Sequence, residues 1–156
     1  MSILNTWAAY LGHMPAVKNR LRLYLNADVL LSLLADEPGK AETVKKLLDA
    51  AADGKYQVLV SEHTAYELVR AGVPAEYINQ VLRPLLLLNG GDLLVANDDI
   101  LRGALKSTRV SEIPFMMALH VVFAQRNNAL LLTRDVDFIT SARQLVGMMT
   151  PEELIT

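Results

Sequence analysis

Residues 129–138 read Ala-Leu-Leu-Leu-Thr-Arg-Asp-Val-Asp-Phe, and the reading of this stretch decides the fold. Four apolar residues in a row, Ala129 to Leu132, suit a short strand buried on both faces, which implies a parallel sheet with helices on either side. The run stops at Thr133-Arg134-Asp135-Val136-Asp137, a polar cluster holding two carboxylates. Ligands of open α/β sheets bind outside the carboxyl ends of the strands, so acids placed there face whatever the fold handles. Thr and Asp are also ordinary cap residues, and this stretch alone favours that plainer role.

Working outward from this strand, the rest of the chain alternates in the same manner. Leu21–Leu25 alternates as a strand and is broken by Asn26-Ala27-Asp28, where Asn26 caps a helix over Ala27–Ala35. A helix over Lys40–Ala52 stops at Asp53-Gly54, and Tyr56–Val60 is the next strand. Ser61 caps a helix ending at Gly72, and Pro74 opens another running to Leu87. Asp92–Ala96 reads as a short strand, Asp98–Lys106 as a helix, and Pro114–Arg126 as a long helix before the Ala129 strand. Asp137 or Thr140 starts a short helix, Leu145–Met148 is an edge strand, and Thr150-Pro151-Glu152-Glu153 opens a final helical turn. The expectation is a three-layer α/β/α sandwich with a mainly parallel sheet of five strands. Residues 1–20 form an amphipathic helix (2–14) and a connector ahead of a domain spanning 21–156.

The 156 residues carry a formal net charge of −2, so bulk attraction for nucleic acid is absent and any such binding needs a local basic rim. The chain has no Cys, which excludes disulfides, thiolate zinc sites and cysteine nucleophiles, and fits a reducing compartment such as the cytoplasm. The N-terminus lacks a basic region of the secretory kind, and no apolar run approaches the ~20 residues of a membrane span. There is no glycine-rich phosphate loop, and Ser61 and Ser111 lack a partnered histidine. His13, His63 and His120 do not pair at metal-ligand spacing, and His120 reads as a core or half-buried residue.

Three strand ends thus carry polar groups: Asn26 and Asp28, Ser61 and Glu62, and Thr133, Asp135 and Asp137. Glu67, on the helix after the second strand, can point back over the same edge. A ring of carboxylates there is how a protein holds Mg²⁺ or Mn²⁺, because hard cations take oxygen ligands.

The order of segments resembles the PIN-domain nuclease family, which includes the toxins of bacterial and archaeal toxin–antitoxin pairs. Leu23–Leu30 (LYLNADVL) looks like its opening strand and acidic turn, and Ser61–Gly72 (SEHTAYELVRAG) like its helix with an internal Glu, here Glu67. Met117-Ala118-Leu119-His120 resembles its Asp-Ala-x-His helix, and Leu132–Phe138 is the closest match. The resemblance implies a divalent-metal-dependent endoribonuclease acting on single-stranded RNA, with Glu67 and Asp135 catalytic. It departs from the family at two of four acid positions, where Asn26 and Met117 stand. Asp28 and Asp137 are the stand-ins, giving a metal set of Asp28, Glu67, Asp135 and Asp137 lined by Asn26, Met117 and Thr133. Such a depleted site implies Mg²⁺ or Mn²⁺ bound weakly or not at all, and the rival reading is a degenerate RNA- or protein-binding regulatory module. Arg22, Arg109 and Arg134 are the candidates for nucleic-acid contact. An antitoxin-like protein partner and a homodimer, built on the 2–14 or the Pro74–Leu87 helix, complete the expectation.

Overall fold

The computed structural model describes residues 20–88 and 93–155, so the expected 2–14 helix lies outside the described residues. Strand β1 (Leu21–Leu25) leads into α1 (Ala27–Leu34) and α2 (Lys40–Ala52), then β2 (Tyr56–Leu59), α3 (Glu62–Arg70) and α4 (Ala75–Leu88). The second half holds α5 (Asp98–Ser111), α6 (Phe115–Arg126), β3 (Leu130–Leu132), α7 (Val136–Ala142), β4 (Met148–Met149) and α8 (Pro151–Ile155). The strands form one sheet in the order β2-β1-β3-β4, every neighbour parallel. Their carboxyl ends therefore share one edge, where Asn26, Ser61 and Thr133 sit.

The sheet has four strands where five were expected. Of the expected Asp92–Ala96 strand, the described residues 93–96 make a single bridge, Leu94 to Ser61, closed by Leu94 N to Val60 O (3.1 Å) and Glu62 N to Leu94 O (2.9 Å). The ladder stops because α3 begins at Glu62, and Ser61, still extended (φ −112°, ψ 167°), caps it by accepting Thr64 N on its side-chain oxygen (3.2 Å).

Strand alternation splits the core between the two faces. Leu23, Leu25, Val58 and Leu132 pack with α1 to α4, whereas Tyr24, Leu59 and Leu131 pack with α5 to α7. Leu131 is fully buried, a position at which truncation to Ala costs about 2–5 kcal/mol. Helix α5 runs past the expected Lys106 to Ser111, since Ser, Thr and Val cost little in a helix interior and no Gly or Pro stands between Lys106 and Ser111. Glu112, at φ 57°, turns the chain into Pro114 and sends α6 back antiparallel to α5. At Gly103 the two helices come too close for a side chain, since a Cβ there would stand 2.9 Å from Val122 Cγ1. Among the described residues, no helix is long and apolar enough to cross a membrane.

Candidate functional site

The carboxyl edge of the sheet holds two linked groups of polar side chains. The first joins β1 and β3. Asn26 caps α1 through Oδ1, which accepts Ala27 N (3.0 Å), and its Nδ2 donates to Thr133 Oγ1 (3.0 Å). Thr133 in turn donates to Asp28 Oδ2 (2.8 Å), which also accepts Arg134 N (2.8 Å). Burial pushes the Asp28 carboxyl above its usual range, opposed by the Arg134 and Thr133 hydrogen bonds and the Arg134 charge. Its Oδ1 is buried without a hydrogen-bond partner among the described residues, consistent with that direction.

Asp135 caps α7, with Oδ1 accepting Phe138 N (3.1 Å), while its own N donates to Thr133 Oγ1 (3.2 Å). The start of α7 was expected at Asp137 or Thr140. The cap falls two residues earlier than Asp137 because the Asp135 backbone is still extended (φ −74°, ψ 101°). Asp137 lies in the first helical turn, exposed, with its carbonyl accepting Ser141 Oγ (2.8 Å).

The second group joins α3 and α6. His120 Nε2 donates to Glu67 Oε1 in a short hydrogen bond, and His63 Nε2 lies 3.9 Å from the same oxygen. The two imidazoles are 4.5 Å apart, both buried, with Glu67 one-third exposed. Behind His120, the buried Tyr24 hydroxyl is 2.7 Å from its Nδ1 and 2.7 Å from Ser61 Oγ. Since Nε2 donates to the carboxylate, a neutral ring presents its Nδ1 lone pair to the Tyr24 O–H. Burial raises the Tyr24 phenol above its ordinary value, and burial followed by the neighbouring His120 lowers His63. Burial pushes Glu67 up, but the His120 hydrogen bond and the charges of His120, His63 and Arg70 outweigh it and leave the carboxyl below its usual range.

The groups meet at the end of β1, where Thr64 Oγ1 donates to Leu25 O (3.3 Å) one helical turn below Glu67. Met117, in the first turn of α6, is half-buried and packs against the core, while the neighbouring Met116 carbonyl accepts His63 Nε2 (3.2 Å).

The expected basic residues divide. Arg134 donates to Glu152 (2.7 Å), Ser32 Oγ (2.6 Å) and Lys40 O (3.0 Å), so its guanidinium clamps α1, α2 and α8. Arg22 lies near the start of β1, toward the opposite end of the sheet from Thr133, and donates to Asn127 O (3.0 Å). Arg109 is exposed in the last turn of α5, beside the start of α6.

These donors do not fit a Mg²⁺ site of four acids. Asn26 supplies an amide with both polar atoms in hydrogen bonds, Met117 a thioether, and Glu67 a carboxylate already held by an imidazole. Sequence reasoning overlooked the histidines. His63 and Glu67 stand four apart on one helix, a spacing that places two ligands on one face, but His120 joins them only through the packing of α6 on α3.

No curated protein matches the chain in sequence. Among solved structures, the chain is similar to a toxin-antitoxin complex from Klebsiella pneumoniae, at 20% identity over 83% of this chain and 97% of that one, with TM-score 0.58. It is similar to FitAB bound to an IR36 DNA fragment, at 19% identity over 83% and 94%, with TM-score 0.60. FitAcB from Neisseria gonorrhoeae matches at 19% identity over 83% and 98%, with TM-score 0.58. At such identities the likeness shows the fold. The family model of the PIN domain matches residues 23–143, and on that match the chain belongs to the PIN domain family.

Proposed function

We propose that this chain is a toxin-type PIN protein that engages single-stranded RNA across the carboxyl edge of its sheet, with divalent-metal-dependent endoribonuclease activity that is slow or absent. The observation that carries this reading is Asn26: at the end of the central strand its two side-chain polar atoms are tied to Ala27 N and Thr133 Oγ1. Mg²⁺ gives up its waters reluctantly and needs anionic oxygens in compensation, and only Glu67 and Asp135 remain of the acids expected there. Arg109, exposed in the last turn of α5, is the candidate for a phosphate contact.

The paired partner in this reading is an antitoxin-like protein, supported by the toxin-antitoxin complex among the similar structures. A homodimer is part of the proposal, supported by the exposed Tyr77 and Leu87 on α4. A second reading, a regulatory module that binds without cleaving, is favoured by the His120 hydrogen bond that already engages Glu67.

The test is cleavage of a labelled single-stranded RNA with Mg²⁺ or Mn²⁺, for the natural sequence and for Asn26→Asp with Met117→Asp. The natural protein is expected to cleave slowly or not at all. The double variant is expected to bind Mn²⁺ more tightly by calorimetry and to be less stable without metal, because it crowds like charges and buries an ionised group. Brisk cleavage by the natural sequence that Asp28→Asn abolishes would overturn the reading and make Asp28 a ligand.

A further inference from the structure

The cluster of His63, Glu67 and His120 differs in kind from a ring of acids. Each residue offers one ligand atom, and the three atoms lie within 4.8 Å of one another. We propose that these residues form a two-histidine, one-carboxylate site for a divalent transition ion of the Zn²⁺ type, displaced from the strand-end acids toward α6. The inference shares Glu67 with the function proposed above but does not depend on cleavage.

Donor chemistry selects the ion. Two imidazole nitrogens and one carboxylate suit Zn²⁺ and its neighbours in the first transition row, whereas Mg²⁺ prefers an all-oxygen octahedron. Zinc ligands stand at about 2.0–2.2 Å from the ion, so tetrahedral neighbours are about 3.3 Å apart. The His63–Glu67 pair, at 3.9 Å, has to close by about half an ångström, and the hydrogen-bonded His120–Glu67 pair has to open as the ion takes the place of the shared proton.

The surroundings of His120 are built to hold its ring in either tautomer. With Nε2 on a metal, Nδ1–H donates to the Tyr24 oxygen, and the Tyr24 O–H turns to Ser61 Oγ. Rotation of two hydroxyls accomplishes this without moving a heavy atom, and a hydrogen bond on the far ring nitrogen is the usual support of a metal-bound histidine. Both imidazoles are buried, whereas the Glu67 carboxylate is one-third exposed and provides the way in.

The experiment is titration of the metal-free full chain with Zn²⁺ by calorimetry, and with Co²⁺ by visible absorption, alongside Mg²⁺. One Zn²⁺ per chain is expected, bound at least tenfold more tightly than Mg²⁺, with Co²⁺ giving the absorption of a site containing nitrogen donors. Glu67→Gln and His63→Gln are each expected to weaken Zn²⁺ at least tenfold, and Asp135→Asn to leave it unchanged. X-ray absorption of the Zn²⁺ form of the natural protein should show two imidazoles, a readout that stands even where a variant fails to fold. No saturable Zn²⁺ binding, one or no imidazole at the metal, or a loss in Asp135→Asn with none in Glu67→Gln would overturn the proposal. Since the readout is binding alone, its failure leaves the proposed function to be decided separately by the cleavage assay.

Discussion

Tyr24→Phe removes one oxygen from the centre of the molecule and nothing else. The ring stays stacked on Phe123, with centroids 6.0 Å apart and planes 12° from parallel, so packing is preserved. The hydroxyl bonds Ser61 Oγ and His120 Nδ1, each at 2.7 Å. Without it, Ser61 Oγ still accepts Thr64 N, but His120 Nδ1 is left buried with no hydrogen-bond donor. A buried polar group without a partner costs about 1–3 kcal/mol, so a loss of about 2 kcal/mol is expected. For a chain of this length that corresponds to a fall of about 4–8 °C in Tm, measurable by calorimetry or circular dichroism. A second arm uses pH. Burial raises the Tyr24 phenol, so its folded-state contribution is fully present below the unfolded tyrosine value of about 10 and is lost as pH rises beyond it. The natural protein should therefore lose stability more steeply above pH about 10 than Tyr24→Phe does. A fall in Tm below about 1–2 °C at pH 7, with parallel alkaline slopes, would refute the central role given to the hydroxyl.

Two further outcomes follow from the β1–β3 group. The Asp28 carboxyl is raised by burial, so its contribution is fully present below the unfolded aspartate value of about 3.9 and is lost as pH climbs through the higher folded value. Asp28→Asn, which cannot ionise, should gain Tm relative to the natural protein between pH 3.5 and pH 7, and a widening deficit over that range would show that the carboxylate is favourably paired. Arg134→Met removes the clamp on Ser32, Lys40 O and Glu152, and should cost about 1–2 kcal/mol in urea denaturation, discounted because Glu152 is 42% exposed. Its RNA affinity, measured by fluorescence anisotropy, should remain unchanged.

The fold was legible where local signals agreed with packing. The Ala129–Leu132 run, the Asn26 and Ser61 caps and the Thr150 capping box each appear where pattern and side-chain chemistry place them, the last with Glu153 N on Thr150 Oγ1 at 3.1 Å. The 92–96 segment misled because a short apolar run marks a strand, whereas its pairing partner passes into α3 directly after the extended Ser61. Asp135 shows the same limit for the site: a carboxylate after a strand serves a helix and a ligand equally well in sequence, and only the Phe138 N–H distance shows it capping α7. His120 was unreadable as a site residue, because its partners lie 53 and 96 positions away.

The parallel order of the sheet bears on how the chain emerges from the ribosome. β1 gains its first neighbour, β2, by residue 59, but its second, β3, begins at residue 130. At about 5–20 residues per second, the intervening stretch of about 70 residues takes about 4–14 seconds to synthesise. Throughout that interval one edge of β1 presents bare amides and carbonyls beside Leu23 and Leu25, a template for any extended segment nearby. Docking of the three-residue β3 shuts that edge and leaves only the two-residue β4 to be added, so the nascent chain is most exposed to mispairing until β3 has been made.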